Sequence, residues 1–258
     1  KGGSVEQNVA DMDPEATAKK AKQYPGVIVG VKLAHYSGPN WEPTDLVVKA
    51  GTLGNIPVMI DFGGSDPHLD MKTLLLEKLR PGDIFTHCYA NVKGRTSLVD
   101  ENGMVRPYVL EAQKKGIVFD VGHGGGSFVF SQAIPAMKQG FWPNSMSTDL
   151  HTGSMNAGMK DLTNIMSKFL NMDMPLYDVI KSVTWSPAKY IQREDLGHLS
   201  EGAVADITLL KLSEGDFGFV DTRGFKLSGS QKLTCELTLR EGKVVWDLNG
   251  ISSTPWTK

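Results

Sequence analysis

Five short apolar runs follow one another through the first 150 residues, at 27–33, 57–62, 83–89, 117–121 and 145–150, and each ends in polar or glycine-rich sequence. Runs of this length between turn signals predict buried strands. Residues 44–53, 69–79, 105–115, 131–139 and 161–170 carry apolar positions at helical spacing between and after them,. Gly82-Asp83 and Lys114-Lys115-Gly116 supply helix stops ahead of new strands,. Repeated strand–helix alternation predicts an α/β fold with a parallel sheet. Chemistry in such sheets gathers at the carboxyl ends of the strands, and there the chain places Lys32, Asp61, His87, His123 and Asp149,. A titratable group at every strand end favours a barrel mouth over an open sheet. A full barrel has eight such units, however, and only about five can be counted.

The pattern changes after residue 192. Strand-like runs at 203–212, 217–221, 233–240 and 243–247 follow, the last two joined by Glu241-Gly242 as a tight hairpin,. They predict an all-β appendage, too short for a convincing independent domain and expected to pair with strands outside this sequence.

Composition narrows the function classes. With 258 residues, 40% hydrophobic and 22% charged, the chain has the make-up of an ordinary globular protein,. A formal net charge of -2 without long Lys/Arg runs gives no electrostatic reason to expect nucleic acid or an anionic membrane as partner,. Small-molecule chemistry is the expectation. No apolar run approaches the ~18 residues of a membrane span, and Lys1-Gly2-Gly3-Ser4-Val5 shows no hydrophobic signal region,. The chain is expected to be soluble as given, with cytoplasm and periplasm both open as compartments. Two cysteines, Cys88 and Cys235, are too few for a disulfide framework and are expected to lie apart,.

Several segments carry candidate chemistry. Gly26-Val27-Ile28-Val29-Gly30-Val31-Lys32-Leu33 puts one lysine at the end of an apolar run that reads as a fully buried strand,. Desolvation there disfavours the ammonium, and a neutral amine is nucleophilic enough to capture carbon dioxide as a metal-bridging carbamate. Snorkelling or pairing with a carboxylate is the plainer alternative. Thr86-His87-Cys88-Tyr89 sets an imidazole at a strand end, a natural zinc ligand,. Ser147-Thr148-Asp149-Leu150-His151 sets a carboxylate at another, suited to metal ligation and to proton transfer,. Each alone also reads as a satisfied core histidine or a helix-capping aspartate. In Asp120-Val121-Gly122-His123-Gly124-Gly125-Gly126-Ser127 a glycine-rich loop lets backbone and imidazole approach a ligand closely,. A phosphate loop is the rival reading, weakened by the absence of a following Lys-Ser/Thr.

Taken together these segments resemble the amidohydrolase superfamily, in its dihydroorotase-like deacetylase branch of binuclear metallohydrolases. The resemblance runs in order through Val-Gly-Val-Lys32, Arg-Pro-Gly-Asp-Ile-Phe-Thr-His87-Cys, Phe-Asp-Val-Gly-His123-Gly-Gly-Gly-Ser-Phe, Ser-Thr-Asp149-Leu-His151, Met-Ser-Lys168-Phe-Leu and Leu-Gly-His198-Leu-Ser-Glu-Gly-Ala-Val-Ala-Asp206. It implies a (β/α)8 TIM barrel flanked by a β-sandwich, with residues 1–195 the later part of the barrel and 196–258 part of the sandwich. It also implies two divalent cations, usually zinc, bridged by a carbamate that carbon dioxide forms on Lys32. His87 would ligate one metal. Asp149 would ligate the other and act as general base on the bridging hydroxide during hydrolysis of a cyclic amide, N-acyl or ester bond. His123 and Gly124 would line the substrate pocket, with Tyr89 and His151 as further candidates.

Two departures from the family stand out. Where it carries a histidine ligand at the end of its fifth strand, this chain has Asp61, which ligates zinc at a similar distance but with a shorter, charged arm,. His68 could substitute, or is an ordinary loop histidine. The family's His-x-His pair occurs nowhere in the sequence, and the numbering begins where the family reaches its fourth strand. The expectation is therefore a later part of an amidohydrolase, lacking the first three strands and completed by the remaining part of the same protein, with homo-oligomerisation also open. A metal-dependent hydrolase whose site needs further residues is the first reading. The second is a catalytically incomplete or non-enzymatic binding or assembly module, with one metal on Lys32, His87 and Asp149.

Overall fold

The structure, a computed structural model, describes residues 7–61 and 68–257. Four short parallel strands, β1 (Val31–Ala34), β2 (Val58–Asp61), β3 (Ile84–Phe85) and β4 (Val118–Phe119), form one sheet in the order β1-β2-β3-β4. Its helices are α1 (Pro14–Gln23), α2 (Glu42–Gly54), α3 (Met71–Thr73, running on as a π-helical turn over Leu74–Lys78), α4 (Pro107–Lys115) and α5 (Phe130–Lys138). They are followed by α6 (Thr152–Met155), α7 (Leu162–Leu170), α8 (Leu176–Val183) and α9 (Trp185–Tyr190). Local chemistry sets their ends. The Asp13 carboxylate accepts the Ala16 N–H at 2.8 Å beneath Pro14, Asp161 caps α7 through the Asn164 N–H at 2.7 Å, and Gly116 closes α4 at φ 102,.

The run at 145–150 does not form a regular strand. It nevertheless extends the sheet: Asp120 and Ser145 form a parallel bridge, and the N–H groups of Val121, His123 and Gly124 donate to the carbonyls of Ser145, Ser147 and Thr148 at 3.1, 3.1 and 2.9 Å. Five chain segments thus deliver their carboxyl ends to one side, as expected for part of a barrel. Phe85 and Phe119 from β3 and β4 meet Tyr89, Phe128, Phe141 and Phe169 in a fully buried aromatic cluster with ring centroids 5.1–6.4 Å apart,.

The run at 27–33 is corrected by the structure. Only Val31–Ala34 is a strand, Val27 is 77% exposed, and Lys32 is exposed. The reason is position: among the described residues β1 is an edge strand paired with β2 alone. The desolvation behind the carbamate expectation is therefore absent at Lys32. Residue 62 of the second run, with 63–67, lies outside the described residues.

Beyond α9 the chain forms an antiparallel sheet, β5 (Ile207–Val220), β6 (Lys226–Arg240) and β7 (Lys243–Asp247), in that order. β5 joins two predicted runs through an irregularity between Glu214 and Phe217,. Glu241 and Gly242, at φ 51 and 76, turn β6 into β7,. The β5–β6 turn docks on the parallel unit. Asp221, 2% exposed, accepts the Phe130 N–H at 3.0 Å, and the Thr222 N–H donates to the Phe128 carbonyl at 3.0 Å. Val245 and Trp246 of this sheet, and Phe225 in its β5–β6 turn, are exposed. Cys88 and Cys235 are free thiols, and no helix among the described residues is long and apolar enough to cross a membrane.

At the amino end of the sheet the buried Asp83 carboxylate accepts from the Arg80 N–H, Nε and Nη2 at 2.8–3.0 Å and from the Val58 N–H at 3.0 Å, tying β2 to the approach to β3. Asp83→Ala leaves those donors unanswered. We expect it to cost about 3 kcal/mol, below the upper range for a buried pair because Arg80 keeps some solvent,. Urea unfolding checks this: the midpoint falls while the slope is unchanged.

Candidate active site

The carboxyl ends of β2 and β3 bring together Asp61 and His87, 8% and 5% exposed, with His87 Nε2 3.3 Å from Asp61 Oδ2. The other ring nitrogen, Nδ1, lies 2.5 Å from the Gly122 carbonyl oxygen. A carbonyl only accepts, so Nδ1 carries the hydrogen and Nε2 is the atom turned to Asp61. This is the orientation of a metal-ligating histidine whose second nitrogen is fixed by a backbone carbonyl. Two ligands at 2.0–2.1 Å from a tetrahedral zinc stand about 3.3–3.4 Å apart. The Asp61–His87 spacing therefore fits one edge of a zinc site. Among the described residues, no group of three or more His, Cys, Asp or Glu side chains makes up a site able to hold a metal.

Gly122 is required here. It adopts φ 45, and a Cβ would fall 2.6 Å from His87 Nδ1 and against Thr86 Oγ1,. Its N–H donates to Ser147 Oγ at 3.2 Å. That hydroxyl donates in turn to Asp120 Oδ2 at 2.7 Å, and Thr86 Oγ1 and Ser145 Oγ also donate to the same buried carboxylate at 2.7 Å.

Electrostatics favour a close pair. Burial alone would raise the Asp61 carboxyl, but the His87 ring, with the charges of Lys32 and Arg95, holds it below its ordinary value of 3.8. Burial alone would lower His87, yet Asp61 and the Gly122 carbonyl hold it above 6.5,. Arg95 is 9% exposed, stacks its guanidinium 4.8 Å from the Phe85 ring centre, and donates through Nη2 to the Thr86 and His87 carbonyls at 3.2 and 3.1 Å. Burial lowers it to about 10, against the attraction of Asp61.

The remaining candidates divide. Asp149 is exposed at the end of the fifth segment with φ 49, and its Oδ2 lies where a Cβ on Gly124 (φ 52) would collide, 2.5 Å away. Gly124 thus makes room for the carboxylate. His151 is exposed beyond it and caps α6, its Nδ1 accepting the Gly153 N–H at 3.1 Å. Tyr89 does not line an opening: it is fully buried in the aromatic cluster, its hydroxyl donating to the Phe141 carbonyl at 3.4 Å. His123 is also fully buried. It stacks on Phe128 with centroids 4.5 Å apart, and its Nε2 lies 2.7 Å from Lys168 Nζ. Burial and the nearby lysine lower His123 to about 3, while burial lowers Lys168 to about 7. Neutral His123 therefore accepts from Lys168, which also donates to the Gly158 carbonyl at 2.7 Å. His68 brackets the loop bearing Arg95, with Nδ1 at 2.6 Å from the Gly94 carbonyl and Nε2 at 2.6 Å from Thr96 Oγ1.

Sequence reasoning missed Asp120, Arg95, His35 and the role of Lys168. His35 Nε2 lies 3.3 Å from the same Asp61 Oδ2. Its signal was a histidine three residues past Lys32, beyond a strand end like the others.

The chain is similar to known proteins along much of its length. The profile of the amidohydrolase family matches residues 130–245. The chain is 36% identical over 201 residues to a deacetylase of Brucella anthropi, covering 76% of this chain and 49% of the relative. It is 33% identical over 222 residues to a deacetylase of Agrobacterium fabrum, covering 84% and 53%. The chain spans about half the length of the curated relatives it matches. Among solved structures, an adenine deaminase superposes with a TM-score of 0.83 at 25% identity over 93% of this chain and 66% of its own, and a dihydroorotase with 0.79 at 29% over 93% and 64%. The architecture is accordingly that of a TIM barrel, seen in part.

Two measurements check the site. In metal-free protein the raised His87 contributes stability that is full below pH 6.5 and lost as pH rises through its folded value. The depressed Asp61 contributes stability that is full above pH 3.8 and lost as pH falls through its own,. Their pairing thus acts fully between those values. NMR titration should find His87 above 6.5 in metal-free protein and lower in Asp61→Asn. Gly122→Ala, which displaces the His87 ring, should weaken zinc binding by about 10- to 100-fold in chelator competition.

Proposed function

The chain belongs to the amidohydrolase superfamily, and from that premise we propose that the whole protein is a metal-dependent hydrolase of a cyclic amide, N-acyl or ester bond. The observation that carries this reading is the Asp61–His87 pair, spaced as ligands of one metal and oriented by the Gly122 carbonyl. The similarity to proteins named deacetylase supports an acylated substrate. Two divalent cations, zinc by ligand type, would be held by His87, Asp61 and Asp149, and Lys32 would join them as a carbamate where further chain covers the open edge of β1 and supplies the desolvation that the described residues lack,. When bound, such ions polarise the scissile carbonyl and acidify the attacking water.

The chain's own residues supply the rest. Asp149 Oδ2, exposed above Gly124, takes the proton from the attacking water and returns it to the leaving nitrogen or oxygen,. His87 keeps Nε2 toward the centre because Gly122 occupies Nδ1. His123 and Lys168 hold the glycine loop from beneath: His123 Nδ1 donates to the Gly124 carbonyl at 2.9 Å, and Lys168 bonds to both His123 and Gly158. The exposed edge at Lys32 and the exposed side chains of β5–β7 support the further proposal that additional chain completes both units in the whole protein.

The test uses the full-length protein stripped of metal, reloaded with zinc, and assayed on N-acetyl amino acids, a cyclic ureide and an aryl acetate. Hydrolysis should appear only with metal. Asp149→Asn should lower kcat by about 10²- to 10⁴-fold, the range of a lost general base. Undiminished turnover after chelation, or in Asp149→Asn, contradicts the reading.

A further inference from the structure

We propose that Arg95 binds the substrate through a carboxylate, so that the acylated compound this protein cleaves carries one negative charge near the scissile bond. The inference rests on the hydrolase reading and names the substrate class within it. Position, unused donors and unbalanced charge carry it together.

Arg95 lies between β3 and α4, past the carboxyl end of β3. Loops on that side of a barrel are the ones that meet substrate. Its side chain turns back to the strand end, where Nη2 donates to the Thr86 and His87 carbonyls at 3.2 and 3.1 Å and the guanidinium lies 4.8 Å from the Phe85 ring centre. The cation therefore stands against the main chain of His87, whose ring faces Asp61.

A guanidinium has five N–H groups. Nη2 uses its own on two carbonyls, while Nε and Nη1 have no acceptor among the described residues. Among those residues Asn164 Oδ1 is the one sealed side-chain polar atom without a partner. The unused Arg95 nitrogens thus keep contact with solvent, although the residue as a whole is 9% exposed. They are donors a ligand can reach.

The charge is also unanswered. Arg80, Arg106 and Arg193 are all more exposed than Arg95, yet each has a carboxylate within 4.0 Å. Arg95 has none at that distance among the described residues, whereas buried charges are ordinarily paired. Asp61 attracts it from further away, but the Asp61 oxygen is directed to His87. With a value of about 10, Arg95 keeps its charge at neutral pH. One guanidinium offsets one anion, and Asp61 and Asp149 already bring negative charge to this end of the sheet. A carboxylate suits that balance better than a dianionic phosphate ester.

The loop is held in place without a ligand. His68 takes both neighbours of Arg95, with Nδ1 2.6 Å from the Gly94 carbonyl and Nε2 2.6 Å from Thr96 Oγ1. Arg223 Nη2, from the β5–β6 turn, donates to the Asn91 carbonyl in the same loop. A cation fixed in this way binds its anion with little further ordering.

The test compares N-acetyl amino acids with their uncharged amides as substrates of the zinc-loaded full-length protein. The wild type should hydrolyse the acids with kcat/KM about 10- to 100-fold above the amides, the range of a hydrogen bond to a charged group. Arg95→Gln should remove most of that preference, chiefly by raising KM for the acids, and Arg95→Lys should retain part of it. An Arg95 that only supports His87 would lower acids and amides alike. That result, or a wild type indifferent to the carboxylate, overturns the assignment and leaves the metal-dependent hydrolase reading standing. The wild-type comparison and Arg95→Lys decide the matter if Arg95→Gln does not fold. If zinc-loaded protein hydrolyses neither acids nor amides, the underlying reading fails and the Arg95 assignment falls with it.

Discussion

The placement of His87 rests on one buried carboxylate, Asp120. Asp120 is 3% exposed and surrounded by three hydroxyls, from Thr86 beside β3 and from Ser145 and Ser147 in the fifth segment. Its main chain is used as well, the N–H donating to the Phe85 carbonyl and the carbonyl accepting the Cys88 N–H. A buried carboxylate deprived of such partners is costly, so the three strand ends have one favourable arrangement. From Ser147 the network continues to the Gly122 N–H, and from the Gly122 carbonyl to His87 Nδ1. The imidazole that faces Asp61 is thus oriented by a continuous chain of hydrogen bonds rooted in the core.

The two ends of the sheet divide the work. At the amino end, Asp83 answers Arg80 and the Val58 N–H, an arrangement that stabilises the fold,. At the carboxyl end the same strands carry strained backbone and ionisable side chains. The antiparallel sheet reaches this end too. Thr222 and Asp221 bind the backbone of Phe128 and Phe130, and Arg223 Nη2 donates to the Asn91 carbonyl in the loop before Arg95. Lys168 on α7 holds His123 from below. The glycine loop is therefore fixed on both sides before any ligand arrives, which is the kind of rigid support a catalytic geometry needs.

Local signals in the sequence carried the helices and the strand ends. Residues 44–53 and 161–170 were legible because apolar spacing agrees with a proline or aspartate start and a polar stop, and 131–139 by apolar spacing alone, with Pro135 inside the helix,. Asp61, His87 and Asp149 were legible because strand and loop residues flank them in order. Burial was not legible. Whether Lys32 is enclosed depends on what lies across the open edge of β1, which no local pattern records. Tyr89 and His123 sit beside site residues in sequence, yet packing with Phe128 turns both rings into the core. His35 and Arg95 were missed because their meaning comes from Asp61, tens of residues away, and not from their own neighbours.

The most direct test is a crystal structure of the full-length protein loaded with zinc, with anomalous diffraction collected on both sides of the zinc edge. Anomalous density within ligand distance of His87 Nε2 and an Asp61 oxygen is the predicted result. Zinc bound elsewhere, with His87 still hydrogen-bonded to Gly122 and no metal beside Asp61, would contradict the account.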